Sequence, residues 1–286
     1  MAAGLNVAAN IASFVSTVWE EALLVARENN LLSNLVTVFS DESGTALRKN
    51  ATYGTATMQT VGDDDDLTSQ VFSPTALSTL TPYEYGAQFF LTDLRIETDP
   101  YGVRNDAALE LGQALGESID VNLCGDFNNM TGGTVGTTGS VLTWKYFWAM
   151  AAILQAKHAP KPWVFVCHPH QYYRLGSAAA IGGSATNGGP AIQDQFSRAF
   201  FVQNVGGIDI YISSNCEASS TDYYTGMFSR AALALDIRRA PRLEVERDAS
   251  RRGYELNLSS VYAHGIWRPA WGVQGIFAGA APDGTS

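Results

Sequence analysis

The residues from 99 to 128 have the pattern of one long helix, and this helix constrains the fold more than any other feature. Asp99-Pro100 forms a helix start, because aspartate can cap free backbone amides and proline suits the first helical position. Four apolar side chains then recur every four residues, namely Leu111, Leu115, Ile119 and Leu123. At 1.5 Å per residue, roughly 28 helical residues would form a helix about 42 Å long. Such a rod must lie across a sheet or against neighbouring molecules to bury its apolar stripe.

Residues 36–82 have a different pattern, that of a long two-stranded excursion with little core of its own. A threonine-rich stretch at 51–57 leads outward, and the chain returns through 77–82. Between them lies an acidic tip made of Asp63, Asp64, Asp65 and Asp66. An isolated hairpin of this length is marginally stable in water. We therefore expect it to rest on another surface, and a partner subunit is one candidate.

The remaining residues predict an α+β fold with helices and strands in mixed order. A half-buried strand is predicted over 83–92, because large apolar residues there alternate with polar or small ones. Further along we expect helices at 143–158, from Pro169 to Leu175 and at 191–202, strands at 163–167 and 208–212, and a mobile loop at 182–189. Residues 226–278 are mostly β, with a turn at Asp248-Ala249-Ser250.

Composition and charge exclude several classes of function. A formal net charge of −10 argues against strong non-specific binding to nucleic-acid phosphates, although a shell that encloses DNA needs no such grip. Three widely spaced cysteines give no disulfide framework, and their number fits a reducing cytosol. We expect neither a signal peptide nor a membrane span. A charged fraction of only 16% weakly favours subunits that bury much of their surface against neighbours, although an ordinary globular protein explains it equally well.

The candidate chemical sites are weak. Cys167 and His168 are adjacent on a predicted strand, so their side chains would point to opposite faces and could not form a nucleophile–base pair directly. His168 and His170 lack a third metal ligand nearby, and a strand-to-helix turn explains them better. The acidic tip lacks the spacing and glycine of an EF-hand loop. We therefore predict no catalytic, cofactor-binding or metal-binding residues.

Four motifs in order carry a family resemblance. The first is the strand over 80–94 that leads to the long helix. The second is the helix, strand and His168-Pro169 turn over 156–169. The third is the strand over 205–213 with its glycine pair Gly206-Gly207, and the fourth is the strand over 226–235. In this order the chain resembles the HK97-fold major capsid proteins of tailed bacteriophages. It departs from the family's last motif, since Met227 stands where that motif has an aspartate.

The resemblance implies a division of the chain and a role. It implies an N-terminal arm at 1–35, an extended E-loop at 36–82, a peripheral domain with a spine helix at 83–135, an axial domain at 136–225, and C-terminal strands of the peripheral domain with a tail at 226–286. The implied function is a structural shell protein of the virion, without catalysis. It would be assembled in the host cytoplasm into hexamers and pentamers of an icosahedral capsid around double-stranded DNA.

The implied partners are further copies of the chain, a portal and decoration proteins. Because no charged scaffold-like segment precedes the arm and Met1 opens the sequence, we also expect a separate scaffolding protein. No cofactor, membrane or sequence-specific DNA contact is implied. An encapsulin-type bacterial nanocompartment shell is the alternative with the same fold. A hydrolase that uses Cys167 or a histidine is a more distant alternative.

Two expectations concern particular contacts. In this family the E-loop lies across the neighbouring subunit, so we expect the four tip aspartates to meet basic residues there. The candidate partners are Arg238, Arg239, Arg242, Arg247, Arg251 and Arg252. We also expect the spine helix to turn its leucines inward, against the sheet of residues 240–277.

Overall fold

The computed structural model describes residues 31–40, 44, 46–98, 102–181 and 204–281. Most of the expected N-terminal arm, the helix start at Asp99-Pro100, and the loop and helix expected within 182–202 lie outside the described residues. The chain divides into two compact units. Among the described residues, the smaller unit comprises Glu84–Ser118 and Ala240–Val261, and the larger unit comprises those within 30–83, 119–239 and 262–286.

The described residues form thirteen strands. They are β1 (Thr37–Phe39), β2 (Arg48–Tyr53), β3 (Pro74–Leu80), β4 (Tyr83–Thr92), β5 (Gly133–Val135), β6 (Trp163–Cys167), β7 (Asn204–Val205), β8 (Ile208–Ile212), β9 (Ala218–Ser219), β10 (Asp222–Ser229), β11 (Leu233–Asp248), β12 (Gly253–Ile266) and β13 (Gly272–Ala278). The α-helices are α1 (Asp93–Thr98), α2 (Val103–Gly125), α3 (Trp144–Ala156) and α4 (Pro169–Ile181). This mixture is the α+β architecture that the sequence predicts.

The long helix is present as α2, which continues into a 3-10 turn at Asp126–Asn129. In the smaller unit, Leu91, Leu111, Leu256 and Leu258 are buried together, and Leu115 packs against them half-buried. The helix therefore covers strand β12 with its leucine stripe. Leu123 is fully buried and Ile119 half-buried in the larger unit.

The turn between β11 and β12 is made by Asp248, as the sequence predicts. Its Oδ1 accepts hydrogen bonds from the backbone N–H groups of Ser250 (2.9 Å) and Arg251 (3.1 Å), which closes an aspartate turn. A hydrogen bond from the Ser250 hydroxyl, followed by the bonds from the backbone, holds the pKa of Asp248 below its usual value. Gly253 follows because a Cβ there would lie 2.5 Å from the Leu91 carbonyl oxygen.

The larger unit is built on a seven-stranded sheet in the order β5-β13-β10-β6-β8-β7, with β9 beside β10. Strand β6 is buried along its whole length because β10 and β8 flank it, as expected for the apolar run at 163–167. Helix α3 packs onto this sheet through fully buried Phe147, Met150 and Leu154.

The expected division of the chain differs from this arrangement in two places. The block 226–286 is split, because β13 pairs with β10 and β5 in the seven-stranded sheet and buries Val273 and Phe277 in its core. The run at 37–39 pairs in parallel with β11 and takes no part in the excursion, whose paired strands are β2 and β3. The expected alternation in β4 is incomplete, since Tyr83 and Phe89 are both exposed.

Candidate assembly surfaces

Strands β2 and β3 form a separate two-stranded hairpin whose root is fixed to the larger unit. The side-chain amide of Asn50 and the hydroxyl of Ser78 both donate to the Trp267 carbonyl oxygen, at 2.8 and 3.0 Å. The Arg48 guanidinium lies over the Phe39 ring, which in turn packs edge-on against Trp267. The hairpin therefore leaves the body from a defined position.

A buried carboxylate completes this root. Asp236 of β11 accepts from Arg48 Nε at 2.8 Å and from Arg238 Nε at 2.9 Å, and it pairs with Arg238 Nη2 at 2.7 Å. The side chains of Asp236 and Arg238 are both fully buried. Arg238 must therefore be removed from the set of arginines expected to meet a neighbouring subunit. The physical reason is strand geometry: residues two apart in β11 share a face, so Arg238 lies beside Asp236 and is buried with it.

Beyond its root, the hairpin is not covered by any of the residues that the structure describes. Every residue from 53 to 76 is exposed, including large apolar side chains. Met58 is 96% exposed, Val71 84% and Phe72 73%, and Phe72 stacks on Tyr53 with ring centroids 4.8 Å apart. Exposed apolar side chains gathered on one segment are typical of a surface that binds a partner.

The four tip aspartates are not equivalent. The N–H of Asp65 donates to the Gly62 carbonyl oxygen, and its carboxylate accepts from the Gly62 N–H, both at 3.3 Å. Asp65 thus closes the turn, while Asp63 and Asp64 occupy its centre and project into solvent. Asp66 is also exposed.

Three of the candidate arginines already have acidic neighbours in the smaller unit. Arg247 binds both carboxylate oxygens of Asp93, at 3.2 and 3.0 Å. Arg251 lies 3.4 Å from a Glu255 oxygen, and Arg242 lies 2.6 Å from a Glu244 oxygen. All three arginines remain about half exposed or more, at 49%, 62% and 69%. They can still face another acidic group, but they are not unpaired cations. Arg239 and Arg252 are also exposed.

Strand β11 carries a second uncovered stretch from 239 to 247, where every residue is exposed. Parallel pairing with β1 reaches only residues 234–236 of β11. In the exposed stretch Val245 and Leu243 are apolar, and Pro241 cannot donate to a strand partner.

A buried aspartate joins the end of the expected arm to the C-terminal part of α2. The Asp120 carboxylate is fully buried and accepts from the backbone N–H groups of Leu31 (2.9 Å) and Leu32 (2.8 Å). These are among the first amides of the 3-10 turn Leu32–Asn34, which need acceptors from outside the turn. Sequence reasoning missed this role, although an acid three residues before Leu123, at the border of the apolar stripe, was a signal for it.

The Cys167-His168 region forms a structural turn. The Cys167 thiol is completely buried, and burial raises its pKa far above the ordinary value, which opposes a thiolate nucleophile. His168 stacks flat on Tyr223 with ring centroids 3.7 Å apart. His170 Nδ1 lies 2.8 Å from the Gly279 carbonyl oxygen, and buried Gln171 donates to the Tyr223 and Phe277 carbonyl oxygens. The turn thereby ties α4 to β10 and β13.

The described residues contain no group of three or more His, Cys, Asp or Glu side chains that could hold a metal ion. Within the same part of the chain, no helix combines the length and the apolar character needed to cross a membrane.

Comparisons with known proteins agree on one kind of relative. Residues 75–274 match the model of a family described as phage capsid protein. No curated protein matches the chain in sequence. Among solved structures, the capsid of the cyanophage P-SCSP1u is similar with a TM-score of 0.68 and 16% identity, covering 90% of this chain and 91% of that one.

Two further structures support the same fold. Mycobacterium phage Che8 has a TM-score of 0.67 and 17% identity, covering 88% of this chain and 92% of that one. The capsid of an empty GTA particle has a TM-score of 0.65 and 12% identity, with 89% and 92% covered. At such identities the likeness to solved structures shows the fold.

Proposed function

Because this chain belongs to the phage capsid protein family, as the match over residues 75–274 shows, we propose that it assembles into the hexamers and pentamers of an icosahedral capsid around double-stranded DNA. The resemblance to HK97-fold capsid proteins is confirmed, and the chain is a phage capsid shell protein of the virion. Family and fold point to a structural role for the chain.

The observation that carries self-assembly is the uncovered hairpin. A single chain gains little from holding Met58, Val71 and Phe72 in water. Burying apolar surface is worth about 25 cal/mol per Å². A second copy that covers these side chains would recover this energy at every interface of a shell.

The charge of the hairpin tip indicates which surface of another copy it contacts. Its tip carries Asp63, Asp64 and Asp66 in solvent, and another copy presents arginines that are exposed at its surface. The proposed partners after removal of Arg238 are Arg239, Arg242, Arg247, Arg251 and Arg252. Each exposed ion pair contributes only about 0–1 kcal/mol. A shell repeats the contact at every interface, so the small contributions accumulate.

The proposed partners beyond further copies are a separate scaffolding protein, a portal and decoration proteins, with assembly in the host cytoplasm. The net charge of −10 argues against tight binding to DNA phosphates, and a shell that encloses DNA does not require such binding. No observation favours an encapsulin-type compartment, and buried Cys167 speaks against the hydrolase alternative.

Light scattering and negative-stain imaging of the purified protein test the proposal. Shell-like particles are expected, and particles from infected cells should contain DNA. A monomer at all concentrations, with or without a co-expressed scaffolding protein, would overturn self-assembly. Uniform particles free of DNA in cells would favour the nanocompartment alternative.

Charge reversal tests the tip contact. Asp63→Arg with Asp64→Arg should lower assembly yield, and adding Arg239→Asp with Arg242→Asp should restore part of it. The wild-type yield should also fall in high salt, because the screening length drops to about 3 Å at 1 M. Replacing all four tip aspartates by Asn, with no change in yield or salt sensitivity, would leave a solvated tip as the better account.

A further inference from the structure

The outer half of the hairpin is held together by glutamine side chains. Strand pairing between β2 and β3 ends at Tyr53 and Pro74. Further out, Gln70 Nε2 donates to the Thr57 carbonyl oxygen (2.5 Å) and Gln70 Oε1 accepts from the Thr57 N–H (2.8 Å). Gln59 makes the same two bonds with Thr68, at 3.3 and 3.2 Å. We call these two pairs, Gln70 with Thr57 and Gln59 with Thr68, the glutamine clamps.

The clamps continue the register of the strands. Tyr53 pairs with Pro74, and each step outward along one arm of the hairpin is matched by an equal step back along the other arm. The clamp pairs 57/70 and 59/68 keep this correspondence, and so does the terminal turn between Gly62 and Asp65. One glutamine comes from each arm of the hairpin. Since a primary amide carries the same donor and acceptor as a peptide group, each glutamine replaces a strand partner for the threonine opposite.

Such order is unusual for a segment that is exposed on all sides. About twenty residues without core would otherwise sample many conformations, and fixing each backbone residue costs conformational entropy. That cost would fall on assembly if the segment were first ordered by its neighbour. The clamps instead order part of this segment in the free subunit, so that less conformational entropy is lost on assembly.

We propose that Gln59 and Gln70 are positioning residues that hold the outer hairpin in its docking conformation before assembly, so that it meets a second copy of this chain already shaped. The proposal rests on the proposed function, because a docking conformation requires that the shell exists. The glutamines themselves need not touch the neighbour. Their effect passes through the Tyr53–Phe72 stack and the exposed apolar side chains, which the clamps hold in register.

Hydrogen exchange on the unassembled full-length subunit tests the ordering directly. The amides of Thr57 and Thr68 should exchange about fivefold to tenfold more slowly than in the double variant Gln59→Leu, Gln70→Leu. Gln155→Leu, at an exposed position of α3, is the matched control and should leave both amides unchanged. Gln70→Glu keeps an acceptor for the Thr57 N–H but loses the donor, so it should retain part of the protection. Equal exchange in wild type and double variant would overturn the proposal.

Assembly of the same variants tests the positioning role. The concentration needed for assembly should rise several-fold in the double variant and stay at the wild-type value in Gln155→Leu. Loss of amide protection with unchanged assembly would show that the clamps are only local, and would overturn the positioning role. Failure of the wild-type protein to assemble would instead remove the proposed function, while the exchange result would still report on the clamps.

Discussion

Replacing Asp120 is the sharpest test of how the end of the expected arm is attached. In Asp120→Ala the N–H groups of Leu31 and Leu32 lose their shared carboxylate, and the Leu32 N–H is left in a buried position. Hydrogen bonds to a charged group contribute about 1.5–3 kcal/mol each. Removing the buried charge also removes its desolvation cost, which offsets part of the loss. We expect a net fall of about 3 kcal/mol in the free energy of unfolding.

The conservative variant separates hydrogen bonding from packing. Asp120→Asn has nearly the same shape but only one side-chain acceptor, so it can satisfy one of the two amides. Its loss should be about half that of the alanine variant. Asp64→Ala, at the solvent-exposed tip, is the control and should lie within about 0.5 kcal/mol of wild type.

Urea unfolding of the unassembled subunit, followed by fluorescence of the six tryptophans, gives the free energies. Limited proteolysis should then show faster cleavage around residues 31–40 in Asp120→Ala. An alanine variant within about 1 kcal/mol of wild type, with unchanged cleavage, would refute the argument that these two bonds fix the segment.

Three further outcomes are expected. Leu111→Ala should lower the free energy of unfolding by about 2–5 kcal/mol, because Leu111 is fully buried. Leu109→Ala, at an exposed position, should change it little. Equal effects of the two variants would show that the buried face of α2 is misassigned. The three cysteines, all buried and free, should resist a thiol reagent at pH 8 in the folded protein and react fully in denaturant; fast reaction of the folded protein would contradict their burial. Mature particles should run as one band on a denaturing gel, because the outer hairpin, residues 54–73, contains no lysine that could form a covalent link to a neighbour. Lys49 lies at the root of the hairpin, opposite Thr79. A ladder of covalent oligomers would contradict this.

Local patterns in the sequence were sufficient where one element decides its own structure. The four-residue spacing of leucines predicted α2, since helical geometry brings such residues to one face. The apolar run at 163–167 predicted a buried strand, and Asp248 predicted the turn between β11 and β12. The order of these elements was enough to indicate the capsid fold, which the family match supports over residues 75–274.

Partner choice between distant segments was decided only by the tertiary structure. A short strand such as β13 can pair with many partners, and burial of Val273 and Phe277 against α3 and its neighbours placed it in the seven-stranded sheet. Arg238 was expected to be a surface cation, but Asp236 and Arg48 draw it into a buried ion cluster. Asp236 lies two residues away and shares the strand face with Arg238, but Arg48 approaches from strand β2, and the local pattern around Arg238 carries no record of it.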